Sequence, residues 1–145
     1  MKLNANVKGV KELENKFKQF GKEGEKQFAS ITKTRALEIT AEAKRKAPKD
    51  TSKLAQGITN EEVNKTTYII AALEKYSAFV EFGTGILTSI PKGWEEIAIL
   101  FKGAGKRQVN LPAQPFLIPA FKKGGKEYIK DLEKAIERLT KKFNG

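Results

Sequence analysis

The stretch Y76-S-A-F-V-E-F-G-T-G85 sets one carboxylate, Glu81, inside an aromatic and aliphatic run that ends in Gly-Thr-Gly. It can be read as the site of a catalytic acid, as the start of a phosphate loop, or as structural punctuation. On a helix, Tyr76, Phe79, Val80 and Gly83 share a face and Glu81 lies off it, because helical neighbours recur at three and four. On a strand, Tyr76, Ala78, Val80 and Phe82 fall on one side and leave Phe79 beside Glu81 on the other. The helical reading groups the apolar residues better. It predicts a short helix over 76–83, docked by its aromatics and closed by Gly83 as the C-terminal cap. Glu81 is then a recognition or anchoring charge.

Upstream, Leu13, Phe17 and Phe20, then Phe28, Ile31, Ile39, Ala43 and Ala47, recur at mostly helical spacing. This predicts helix over 8–47, bent or broken near Gly21 and Gly24. It must stop by Ala47, because Pro48 disfavours helical geometry in the residue before it. P48-K-D-T-S-K-L54 is rich in turn formers. Strands are expected over 54–73: one from Leu54 to Thr59, a turn near Asn64-Lys65, and T67-Y-I-I-A-A-L73, which is β-branched and aromatic.

Downstream, residues 86–114 read as a long loop, with P91-K-G-W-E-E-I-A-I-L-F-K102 as a short apolar element and G103-A-G-K-R-Q as a flexible basic tail to it. Ile129, Leu132, Ile136, Leu139 and Phe143 then mark an amphipathic helix over 119–143. Pro119 suits its first turn, where a missing N–H costs nothing. Gly124-Gly125 signals a hinge or a close contact with another backbone. Helix, strands and helix make one α+β domain over 1–145, with both long helices against a small antiparallel sheet and a short helix and a long loop between.

Composition narrows the chemistry. The 145 residues include no cysteine and no histidine, which excludes disulfide scaffolds, thiolate zinc sites and the Ser-His-Asp triad. No apolar run reaches the ~20 residues of a membrane span, and M1-K-L-N-A-N-V-K-G-V-K-E-L-E14 lacks a signal-peptide core, so the chain is expected in the cytoplasm when made. The net charge of +11, from 28 basic and 17 acidic residues, invites a nucleic-acid reading. Acids interleave with the lysines, however, as in K122-K-G-G-K-E-Y-I-K-D-L-E-K134, which suits a solvated helix face.

The glycine motifs fail as phosphate loops. G83-T-G-I-L-T88 matches just two glycines of GxGxxG, and a P-loop through Gly105-Lys106 would need Gly where Leu100 stands and Ser or Thr where Arg107 stands. N64-K-T66 is a glycosylation sequon that carries no meaning without secretion. Glu61-Glu62 and Glu95-Glu96 point in different directions on either a helix or a strand. Glu81 among aromatics suits a general acid on paper. With no histidine, nucleophile or ligand cluster beside it, the better reading is an acceptor for neighbouring backbone N–H groups or a partner for a Lys.

Three segments in order, A47-P-K-D-T-S-K-L54, Y76-S-A-F-V-E-F-G-T-G85 and A113-Q-P-F-L-I-P-A120, resemble the head–tail joining or tail-completion proteins of long-tailed bacteriophages, also called neck or minor capsid proteins. The resemblance spans about residues 36–125. Ser52 departs from the family's Gly in its Asp-Thr-Gly-x-Leu turn, and Ser77 from a small apolar residue. The resemblance implies a structural virion protein and no enzyme, made in the host cytoplasm, without cofactor or metal. It implies a ring of copies contacting connector and tail-tube proteins. On that reading Tyr76, Phe79, Glu81, Phe82, Gly83, Thr84, Pro115, Phe116 and Pro119 shape the fold and the ring contacts. A basic nucleic-acid-binding module is the alternative, and a hydrolase using Glu81 a third.

Overall fold

The computed structural model describes residues 2–4, 11, 21–50, 52–103 and 109–143. The chain is α+β, with strand β1 (Lys2–Asn4), helices α1 (Gly21–Lys46) and α2 (Ser52–Gln56), and strands β2 (Ile58–Asn64) and β3 (Thr67–Ala72). Helices α3 (Ser77–Phe82), α4 (Glu95–Ala98) and α5 (Leu117–Phe143) follow, with 3-10 turns at Gly85–Leu87 and Ile99–Phe101.

Gly21 opens α1 with φ 72°, a left-handed conformation that no right-handed helix continues through. Gly24 is instead buried inside the helix. The expected helix over 8–20, with Leu13, Phe17 and Phe20, lies outside the described residues apart from helical Lys11. At the other end, Ala47 N–H still bonds to Ala43 O (2.9 Å) and Pro48 then diverts the chain.

Where a strand was expected from Leu54, residues Ser52–Gln56 form one helical turn that buries Leu54. The physical reason is composition. Leu, Ala, Gln and Lys are good helix formers, and the first β-branched residue after them is Ile58, where β2 begins. Strands β2 and β3 pair antiparallel, Ile58 opposite Ala72 and Asn60 opposite Ile70, around a Lys65-Thr66 turn. Asn64 holds that turn, its Oδ1 accepting Thr66 N–H at 2.9 Å and Thr66 Oγ1 at 3.0 Å. On the far edge of β3, β1 sets Leu3 opposite Ile70, giving sheet order β1-β3-β2. Three residues are too few for their alternation to be read from sequence.

Helix α1 lies on β2 and β3, and α5 packs along α1. The helices run antiparallel, since Glu23 meets Lys142 and Arg35 meets Asp131 and Glu127. Their seam is Phe28, Tyr128, Leu132, Ala135 and Leu139. The buried stripe of α5 therefore runs through Tyr128 and Ala135, with Ile129 and Ile136 at its margin, one position off the Ile129-based stripe the sequence suggests. A Cβ on Gly124 would stand 2.1 Å from Ile39 Cγ1, so the close approach is to a side chain of α1. Gly125 faces open space. A second core joins Ile39, Ala43, Ile58, Ile70, Phe82, Phe116 and Leu117 where the helix ends, sheet and α3 converge.

Residues 86–103 are more structured than a plain loop. Ala98 is buried in that second core, and Trp94 and Phe101 pack against it. The Glu95 carboxylate turns back to accept Gly93 N–H at 2.9 and 3.0 Å. That backbone hydrogen bond holds the Glu95 carboxyl below its ordinary pKa.

Candidate functional site

The six residues of α3 bury Ser77, Glu81 and Phe82, whereas Phe79 is 46% exposed. This reverses the expected orientation, in which Phe79 docks and Glu81 lies off the docked face. The reason lies in what α3 faces. Its inward side meets the start of α5, where orphan backbone donors need an acceptor more than the core needs another ring. Phe82 fills the core beside Glu81, and Phe101 stacks on it at 5.5 Å while meeting Phe79 edge-on at 5.2 Å.

Glu81 is 0% exposed. Its Oε2 accepts Phe116 N–H at 2.8 Å and Leu117 N–H at 2.9 Å, and its Oε1 accepts Ile118 N–H at 3.0 Å. A helix leaves its first four N–H groups without intrahelical partners. In α5 these belong to Phe116, Leu117, Ile118 and residue 119, and residue 119 is proline, which has no N–H. One side chain 35 residues upstream of Phe116 thus satisfies every donor that the helix start presents. The negative group also sits at the positive end of the helix dipole. Charge-assisted bonds of this kind offset the large desolvation cost of burying a carboxylate. Ser77, on the same face, donates to Glu74 O at 2.6 Å.

The glycines serve the same junction. Gly83 has φ 72°, and a Cβ there would meet Ala113 N and Leu111 O at 2.7 Å and Leu87 O at 2.9 Å. Gly85 has φ 63°, and its Cβ would collide with Asn110 Oδ1 at 2.0 Å. Between them, Thr84 laces the chain to residues 109–111: its N–H donates to Leu111 O (2.9 Å), its hydroxyl donates to Val109 O, and its Oγ1 accepts Leu111 N–H (2.9 Å). Ile86 N–H donates to Asn110 Oδ1 at 3.0 Å, and Gln114 N–H to Val80 O at 2.8 Å. The approach to α5 is thereby strapped to the end of α3 before the helix begins.

The structure therefore gathers Tyr76, Phe79, Glu81, Phe82, Gly83, Thr84, Phe116 and Pro119 around one junction. Pro115 is exposed just ahead of the cap. Sequence reasoning missed Ser77, Phe101 and Asn110. Asn110, beside Pro112 in a turn-forming stretch, carried a weak signal; the other two carried none.

Chemically, the junction has little freedom. Both Glu81 oxygens accept backbone N–H groups and are closed to solvent. Among the described residues, no group of acidic side chains is placed to hold a metal ion, and no helix is long and apolar enough to cross a membrane. Elsewhere the charges serve the helix pair. Asp131, by a 2.6 Å hydrogen bond, raises the Arg35 pKa, and Arg45 holds the Glu42 carboxyl below its ordinary value.

The acidic motif of this α+β scaffold thus serves as a helix cap. The chain belongs to the family described as "Bacteriophage HK97-gp10, putative tail-component", which it matches over residues 11–83. Membership places it among the structural components of phage tails, hence in the virion and in contact with other phage structural proteins. The match takes in Glu81 and ends at Gly83, so the acceptor of the cap lies inside it and the donors at Phe116–Ile118 lie beyond. No curated protein and no solved structure matches the chain.

Proposed function

We propose that this chain is a neck or tail-completion subunit, acting as one domain at the head–tail interface in a ring of copies and carrying out no bond-making chemistry. Family membership supports the tail assignment. The observation that carries the non-catalytic reading is the Glu81 carboxylate, fully buried and bonded to three backbone donors. On this reading the residues from Tyr76 to Thr84 and from Pro115 to Pro119 set the shape that neighbouring subunits, connector and tail-tube proteins meet. The test is electron microscopy of particles assembled without the polypeptide. Filled heads beside free, unjoined tails are expected, with joining restored by the wild-type chain. Fully joined virions in its absence would refute the reading.

A second reading, a module binding nucleic acid, draws support from the exposed Lys122, Lys126, Lys130 and Lys134 on the solvent side of α5. Its signature is duplex affinity that survives physiological salt and falls linearly in log K against log salt with a slope worth several phosphates.

A further inference from the structure

The charges of α5 are sorted by the fold in a way that chain order conceals. From Lys122 to Lys134, five lysines alternate with Glu127, Asp131 and Glu133. Two of those acids turn inward. Glu127 and Asp131 accept from Arg35 of α1 at 2.8 and 2.6 Å, and the exposed charged residues from Leu117 to Leu132 are all lysines. Some cations are answered. Lys123 reaches Glu42 at 3.8 Å, Lys142 meets Glu23 at 2.7 Å, and Lys122 adds its charge to the Gly93 hydrogen bond that lowers the Glu95 pKa. Lys126, Lys130, Lys134 and Arg138 remain as an exposed row at four-residue spacing, roughly 18 Å long at 1.5 Å per residue. Like charges four apart on a helix repel one another. Glu133 and Glu137 offset the far half of the row, and no exposed acid of α5 offsets the near half. A polyanion laid along the helix would relieve that repulsion.

Side-chain chemistry selects among polyanions. Protein interfaces are poor in lysine and draw their affinity from aromatic and arginine anchors. Between Lys122 and Lys142 the one aromatic residue, Tyr128, is buried, and the one exposed large apolar residue is Ile129 at 39%. An acidic protein therefore finds no anchor there, and unpaired bases find no ring to stack on. Ammonium groups act as point charges that suit phosphates and lack the planar fork that reads guanine bidentately. A straight helix about 10–12 Å across is admitted by the ~12 Å major groove of B-form DNA, and not by the deep, narrow groove of A-form RNA. We propose that the outward row of α5 holds the phosphate backbone of duplex DNA without base preference, in addition to the structural role of the chain. The proposal rests on the nucleic-acid reading above and gives it a face and a mode.

Fluorescence anisotropy of the full chain tests it, with labelled duplexes of about 30 base pairs across roughly 50–300 mM NaCl. AT-rich and GC-rich duplexes should bind alike, and log K should fall linearly with log salt at a slope of about −3 to −5. Replacing Lys126, Lys130 and Lys134 together by Gln should flatten that slope by about three and weaken binding about tenfold or more at the lowest salt. All three positions are exposed and Gln is a good helix former, so unchanged melting would show that the variant folds. Lys130→Arg should keep the affinity, and Lys65→Gln, on the exposed β2–β3 turn, should leave it unchanged. A chain that binds no duplex at the lowest salt would overturn the proposal together with the nucleic-acid reading. Duplex binding that the triple variant retains in full would overturn this face and leave that reading standing. Tighter binding to single-stranded DNA, to an RNA duplex or to polyglutamate than to duplex DNA would overturn the assigned partner.

Discussion

Replacing Glu81 by Gln tests the capping account directly, because shape is nearly kept while charge and one acceptor are lost. The amide oxygen can still accept Phe116 and Leu117 N–H, but the NH₂ group then faces Ile118 N–H, donor against donor, across a contact now 3.0 Å long. One buried donor left unpaired costs about 1–3 kcal/mol, and losing the charge at the helix start costs about 1 kcal/mol more. A loss of about 3 kcal/mol is expected, a large share of the 5–15 kcal/mol that holds a typical domain together. At roughly 2–4 °C per kcal/mol for a chain of this size, melting should fall by about 10 °C. Urea unfolding followed by far-UV circular dichroism measures the difference. Amide exchange at Phe116, Leu117 and Ile118 should accelerate beyond the global change. Glu81→Asp, one methylene short, should recover little. A Glu81→Gln variant within about 0.5 kcal/mol of wild type would refute the reasoning, since surface substitutions alone reach that size.

Gly125→Ala should stabilise the protein by about 1 kcal/mol, because a better helix former enters open space, whereas Gly124→Ala should destabilise it by driving a methyl into Ile39; paired thermal melts check both signs. Gly83→Ala should cost more than about 2 kcal/mol, combining a left-handed φ with contacts to three backbone atoms, and exchange should show residues 109–114 released first. The Glu95 carboxyl is held below its ordinary pKa by Gly93 N–H, so the contact stabilises above that ordinary value and is lost as pH falls through the lower one. The Gly93 amide resonance should follow that acid transition and lose it in Glu95→Gln. Tyr128→Phe should cost about 1 kcal/mol in urea unfolding, by removing the buried 2.9 Å contact with Thr32 Oγ1.

The elements legible from the sequence were those with strong local signals. Pro48 stopped α1, the β-branched run at 67–72 made a strand, and the amphipathic pattern after Pro119 made α5. Gly83 read correctly as the end of α3, since a cap with positive φ calls for glycine and so leaves a local mark. The orientation of α3 did not. Periodicity over six residues ranks Phe79 above Glu81 for burial, and only the distant start of α5 reverses that order. The sequence does allow Glu81 to accept backbone N–H bonds, the plainer alternative to acid catalysis. Its partners could not be named, because they lie 35–37 residues away. For the same reason Phe101 and Asn110 stayed hidden: their roles exist only once residues 79–86 meet residues 99–101 and 109–111.

A mechanical consequence follows from Pro119. By deleting the fourth donor it leaves a socket of three N–H groups, which a single two-oxygen claw fills, so α5 cannot slip along its axis by one residue without abandoning its grip. The 27-residue rod is thus latched at its base by a tether from another part of the chain and bears on Ile39 through the notch at Gly124. Without that latch the rod would still be held by its seam with α1 at Phe28, Tyr128, Leu132 and Leu139.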